Sequence, residues 1–485
     1  MKYKLIRSRF LIPVNDRIGR EKRIEDGFVL IENDMILDFG QYNAEIGKNI
    51  TEKYKNELTI IGSKDNNTIP LLECAVLPGF VKAHGHDHES PIIGVAKDVP
   101  LTPWLDEAVN LFTGFINKER QKLEEHFSKS PNLVTYLKAR VDDIYFGITS
   151  SMAHHCNFNK YYVDEIVEAN TRAGTKMIVA VGSQNRNYGG GILDIPPEIA
   201  IERLDEYQER FSNVERIEII PGPDQFFSNG PELLKALKAW ANKRGKLFHI
   251  HSSEEPNTTA WFRKEYGMTP VEYGDDLGIM DENTVVAHQV HNTEDDLEIL
   301  RRTGTKVVHN PLANTILGSG MPPIIRMMEM GIPVAISTDG SGSADSQNIL
   351  SAARCAAQYQ KAYHQDASLL HSQKLIEMIT IIPAKILKLN AGTIEKGYDA
   401  DITAIDITRP NLTPSRIDNV VENLIWASDG SEARYVIANG KILKDDYKFV
   451  TLDKDTILRE VKELSELLME YRKTAKEITG TGAHR

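Results

Sequence analysis

The chain has 485 residues, 41% hydrophobic and 26% charged, with a formal net charge of −12. That balance suits one large globular domain with a smaller one beside it. The acidic total with no basic stripe argues against nucleic acid as a partner, and no apolar run approaches the ~18 residues of a membrane span.

The N-terminus lacks a long apolar core and a small-residue cleavage site, so no signal peptide is expected. The cysteines, Cys74, Cys156 and Cys355, are far apart and form no Cys-x-x-Cys pair. A reducing, cytoplasmic setting is therefore expected, as are a small-molecule substrate and a homo-oligomer, dimer or higher. Residues 1–75 read as short strands, with a hairpin over Gly27–Gly40 turning at Asn33-Asp34. The apolar run Ala75-Val76-Leu77 then reads as a buried strand entering Pro78-Gly79-Phe80-Val81-Lys82-Ala83-His84-Gly85-His86. Residues two apart on a strand face one side, so His84 and His86 are placed to share a cation, imidazole being a common ligand for zinc and its neighbours.

From 76 to 390 strands alternate with helical stretches such as Glu232–Lys243 and Asp295–Arg302. Eight strand candidates end near His84, His154, Gly182, Pro221, His251, His288, His309 and Asp339. Eight such units predict an α/β fold, a (β/α)8 TIM-type barrel with its site at the C-terminal ends of the strands. An open doubly wound sheet is the alternative, but no Gly-x-Gly-x-x-Gly follows a strand. Residues 391–452 are β-like again, with a hairpin at Asn439-Gly440. Strands from both chain ends predict one small discontinuous β-sandwich domain. Residues 453–485 read as a helix and tail, with an apolar stripe through Ile457, Val461, Leu464 and Leu468 that suits packing.

Of the 14 histidines, 11 lie between His84 and His309. Histidines ending strands one, five, six and seven, with Asp339 ending strand eight, would meet at one barrel mouth. Such a cluster of His and Asp marks a metal or catalytic centre.

These motifs resemble the amidohydrolase superfamily, in its cytosine deaminase-like and s-triazine hydrolase-like branch. The matching residues are Pro78-Gly79-Phe80-Val81-x-x-His84-x-His86, Trp104, His251-x-x-Glu254, Ala287-His288-x-x-His291 and Ser337-Thr338-Asp339-Gly340. His309-Asn310-Pro311-x-x-Asn314 with Gly318-Ser319-Gly320 is similar to the S-adenosylhomocysteine/methylthioadenosine deaminase type. The resemblance implies that His84, His86, His251 and Asp339 bind one divalent metal ion, zinc first and iron second. It implies Glu254, His288 and Asp339 as catalytic residues, with Trp104 and His309 at the substrate. The implied function is a hydrolytic deaminase of a nitrogen heterocycle that releases ammonia. The alternatives are the same scaffold cleaving another C–N or C–Cl bond, and a non-catalytic metal-binding protein.

Some positions depart from the family pattern. The fourth strand, Ile217–Pro221, has no lysine to bridge two metals. Thr113 stands where adenosine-type relatives carry a ribose-binding Glu. His154 and His155 end strand two and either line the pocket or cap the strand. Asp87, His88, Glu89 and Asp224 follow strand ends on the metal side, and Asp224 replaces a histidine. Acids there favour a substrate that donates hydrogen bonds or is cationic.

Overall fold

The computed structural model describes residues 2–155, 157–187 and 192–479; Cys156 lies outside them. The two ends of the chain build one β domain. Nine strands are hydrogen-bonded into a single sheet in which Leu72–Pro78 pairs with Tyr3–Leu11 on one side and Ile402–Asp406 on the other. The sheet folds over an apolar core that includes Ile6, Val29, Ile36, Val76, Ile394 and Ile437. Both predicted hairpins form, Ile24–Glu32 with Met35–Gln41 and Ala433–Ala438 with Lys441–Asp445. Their turns meet: a Cβ on Gly440, at φ +70°, would lie 1.9 Å from the Asn33 carbonyl oxygen, so only glycine fits there.

One expectation needs correcting here. The run Ala75–Leu77 does not lead the barrel; it is the middle of Leu72–Pro78 and belongs to the β domain. The barrel starts later, at the three-residue strand Phe80–Lys82, and His84 and His86 lie in the chain that follows it. Length and hydrophobicity mark a buried strand, but they do not say which sheet it joins.

The eight barrel strands are Phe80–Lys82, Ile148–His155, Lys176–Ser183, Ile217–Pro223, Phe248–Ser252, Thr284–His288, Lys306–His309 and Val334–Ile336. They pair in parallel in two sets of four. The sets join where Gln225 bridges His251 and the His251 N–H donates to the Asp224 carbonyl at 3.2 Å. The ring is tied between its first and last strands by Ser337, whose Oγ donates to the His84 carbonyl (2.6 Å) and accepts from the His84 N–H (3.1 Å). The connecting helices carry local start and stop signals. Glu294–Thr303 begins with a Thr293–Asp296 capping box and ends at left-handed Gly304.

The barrel interior is filled by Val81, Met152, Ile178, Ile220, Val285 and Val308, among others. Burying each such side chain contributes ~1.5–3 kcal/mol. Neighbouring strand residues such as Phe80, Ala153, Val286 and Val307 face outward into the larger core beneath the helices. The stripe of the last helix, Lys454–Thr479, packs through Val461, Leu464 and Leu468 against Trp104, Phe112 and Phe115 over the barrel mouth. Among the described residues no helix is long and apolar enough to cross a membrane.

Candidate active site

Strand parity sorts the sequence candidates. Met152 faces inward and Ala153 outward, so His154 returns to the interior and His155 turns away. His154 lines a cavity of about 390 Å³ at the barrel mouth, whereas His155 bonds the Tyr136 hydroxyl at 2.6 Å behind the strand. Val308 is inward, so His309 is outward. It lines a small separate cavity with Pro311, Asn314 and Gly320. Neither His155 nor His309 lines the main cavity, contrary to their expected place at the substrate. By the same alternation, inward Val285 would send His288 outward. Its φ of +73° breaks the alternation and turns the imidazole into the mouth. Such strained backbone is costly and gathers at functional sites.

The ring nitrogens are assigned by their partners, because a carbonyl only accepts. His86 Nδ1–H donates to the His154 carbonyl at 3.3 Å, and His251 Nδ1–H donates to the Asp224 carbonyl at 2.6 Å. Burial lowers both imidazole pKa values, that of His86 to about 3, so both rings are neutral and their Nε2 atoms bare. Those two Nε2 atoms nevertheless lie 3.1 Å apart. His84 is set by a relay: His249 Nδ1–H donates to the Val285 carbonyl (3.0 Å), so His249 Nε2 accepts from His84 Nδ1–H (2.8 Å). The His84 Nε2 that remains is buried without a hydrogen-bond partner. Asp339 Oδ1 lies 3.4 Å from His84 Nε2 and 3.5 Å from His86 Nε2.

Three bare lone pairs therefore lie together, with a carboxylate oxygen close to two of them. No proton stands among them to relieve the repulsion, which a divalent cation would. An N3O donor set of this kind suits zinc and its neighbours, and the hydrogen bonds on each Nδ1 are the outer contacts that orient metal-binding imidazoles. His249, absent from the sequence-derived set, is one of these. Its place two residues before His251 on the same strand face was the signal available.

His288 has the opposite tautomer. Asn314 Nδ2 donates to its Nδ1 at 3.0 Å, which leaves an Nε2–H 3.7 Å from both Asp339 Oδ2 and Glu254 Oε2. His288 thus presents a donor to the site, not a ligand. Glu254 is buried and its carboxyl pKa is raised well above the usual range, by burial first and the Asp339 charge second. Both effects favour its protonated form.

The four residues Asp87, His88, Glu89 and Asp224 separate. Asp87 leaves the mouth for a buried ion-pair cluster with Arg140 and Lys82, which corrects its expected place on the metal side. His88 and Glu89 line the cavity. Glu89 Oε2 accepts from the Gly342 and Ser343 N–H groups (3.2 and 3.0 Å) and from Ser343 Oγ (3.0 Å), and burial with the Asp339 charge pushes its pKa up to about 8. Asp224 also lines the cavity. Its Oδ1 is buried with no hydrogen-bond partner, and burial pushes its pKa up to about 7. Trp104 and Thr113 come from the helical segment that roofs the mouth, around a π-helical turn at Leu105–Asn110, a distortion common at functional sites. Thr113 Oγ1 is turned back to the Val109 carbonyl at 2.9 Å.

The chain matches the model of the Amidohydrolase family over residues 75–443. It is 30% identical over 434 residues to a 5-methylthioadenosine/S-adenosylhomocysteine deaminase of Thermococcus onnurineus, an alignment covering 88% of this chain and 92% of that one. Its fold superposes on that of an adenosine deaminase from Xanthomonas campestris with bound zinc, at a TM-score of 0.81 and 20% identity over 96% of this chain and 98% of that one. It also superposes on an atrazine chlorohydrolase from Arthrobacter aurescens complexed with zinc, at a TM-score of 0.83 and 22% identity over 95% and 100% of the two chains.

Proposed function

Because the chain belongs to the amidohydrolase family, we propose that it is a metal-dependent aminohydrolase that removes an exocyclic amino group from a nitrogen heterocycle as ammonia. One observation carries this reading. The bare Nε2 atoms of His84, His86 and His251 lie together with the Asp339 carboxylate beside two of them, next to a buried Glu254 whose protonated form is favoured.

His84, His86, His251 and Asp339 would hold one divalent cation, with zinc the better occupant for these donors. When bound, that cation supplies a nucleophile by bringing the pKa of water down toward neutrality. The protein groups do the rest. Glu254 donates its proton to a ring nitrogen, and the adjacent carbon becomes electrophilic. Asp339 accepts a proton from the attacking water through Oδ2 and returns it to the departing amine. His288 Nε2–H donates to the oxygen as it gains negative charge at the tetrahedral stage, a role its tautomer fits. The C–N bond breaks, ammonia leaves, and the proton still on the attacking oxygen passes to the Glu254 carboxylate, which restores that acid as the carbon becomes a carbonyl.

The test is ammonia release from a panel of amino-substituted purines, pterins, pyrimidines and triazines, with chloride release followed on chloro-triazines. Chloride without ammonia would replace this reading by the alternative chemistry. The purified protein is expected to carry about one equivalent of transition metal and to lose activity when a strong chelator removes it. Asp339→Asn is expected to lower both metal content and turnover. Metal analysis returning two equivalents per chain would reject the single-ion site.

A further inference from the structure

The cavity carries an excess of acidic side chains that the reaction does not require. Five of the side chains lining it are carboxylic acids, Glu89, Asp106, Asp224, Glu254 and Asp339, and no described lysine or arginine lines it. Asp339 and Glu254 belong to the proposed chemistry, and Glu89 is bonded to Ser343 and the Gly342 N–H. Asp106 sits on the roof, where it accepts from Asn110 Nδ2 at 2.9 Å. Asp224 differs from these. Its Oδ1 is buried, has no hydrogen-bond partner, and belongs to a residue that lines the cavity.

The nearest cations attract its charge but do not hydrogen-bond Oδ1. Lys160 Nζ and Arg203 Nη2 are both held by Asp194, at 2.9 and 2.8 Å, and Lys160 also donates to the Ile192 carbonyl. The Asp224 backbone is fixed through its carbonyl, which accepts from His251 Nδ1. The residue is thereby placed beside His251, one of the proposed metal ligands. A buried acceptor left without a donor is costly, and that cost is recovered when a ligand brings one, most fully when the ligand is charged.

Resting on the aminohydrolase reading, we propose that Asp224 is the specificity residue of this site: it receives a hydrogen-bond-donating or cationic group of the substrate, distinct from the amine that leaves. The substrate class is accordingly a planar heterocycle that is neutral or cationic, rich in N–H donors, and free of phosphate.

The experiment measures dissociation constants on the metal-loaded, full-length protein by calorimetry. The probes are benzamidinium, a planar cation with a paired donor edge, and benzamide, its neutral isostere. Wild type is expected to bind benzamidinium at least about tenfold more tightly than benzamide. Asp224→Asn is expected to abolish that preference while keeping its metal equivalent. Asp106→Asn, which removes a second lining acid on the roof, is expected to change it by less than about twofold. An unchanged preference in Asp224→Asn, an equal loss in Asp106→Asn, or no binding of benzamidinium by wild type overturns the proposal. Ammonia release is assayed separately. A protein that prefers benzamidinium through Asp224 but deaminates nothing rejects the aminohydrolase reading and leaves the recognition site standing.

Discussion

Replacing Glu254 by glutamine is expected to lower turnover at least about 100-fold, the usual scale for a lost general acid, while metal content stays at the wild-type level. Glutamine keeps the size and the ability to hydrogen-bond but has no acidic proton to give. Glu254 lies 3.7 Å from His288 Nε2 and belongs to none of the three groups of described side chains close enough together to hold a metal ion. Burial and the Asp339 charge favour its protonated form, the form a proton donor needs. Steady-state rates on the best substrate of the panel, with metal content measured on the same samples, check this. If the variant lost its metal while the loaded fraction kept full turnover, Glu254 would be a ligand and the role assigned here would be wrong.

The second large effect concerns stability. Arg140→Leu is expected to lower the free energy of unfolding by about 3–5 kcal/mol, the range for breaking a buried ion pair from one side. Arg140 is fully buried. Its guanidinium pairs with Asp87, and at 2.8 Å with Asp143, and it donates to Ser151 Oγ at 2.9 Å. Lys82 joins the same carboxylates, at 2.8 Å from Asp143 and 3.4 Å from Asp87, and reaches Gln347 Oε1 at 3.1 Å. Without Arg140 the single Lys82 cation faces two buried acids. The exposed Arg301–Glu298 pair is the control, since Arg301→Ala there should leave the unfolding midpoint nearly unchanged. Urea unfolding of the three metal-loaded proteins makes the comparison. A loss below about 1 kcal/mol for Arg140→Leu would mean that the cluster reorganises or admits water.

Arg140 also marks a limit of sequence reading. Asp87 follows His86 directly and looks like part of the mouth, yet its partner is 53 residues further on, at Arg140. Charge type at a strand end does not say whether the side chain turns toward the substrate or back into an ion pair. Asp224 shows the converse: an acid in an equally plain position does line the cavity, with Oδ1 unpartnered.

The helices Ala44–Tyr54 and Val420–Trp426 interrupt the two segments expected to be β, but the sequence by itself determined both hairpins, the eight strand ends to within about three residues, and the His and Asp residues proposed for the metal. These are local properties. Hydrophobic periodicity, turn residues and motif spacing all act over a few residues. Tertiary structure alone decided that Ala75–Leu77 joins the β domain, because strand pairing is made with Tyr3–Leu11 and Ile402–Asp406, far away in the chain. It decided that His154 faces the cavity while His155 and His309 do not, because which parity is inward depends on how each strand enters the barrel wall. It also decided the protons. The Val285, His154 and Asp224 carbonyls and the Asn314 amide fix four imidazole tautomers directly and the fifth, His84, through His249. They leave three of those rings with a bare Nε2 and His288 with an Nε2–H, because a tautomer is set by whichever polar group the fold brings to the other ring nitrogen.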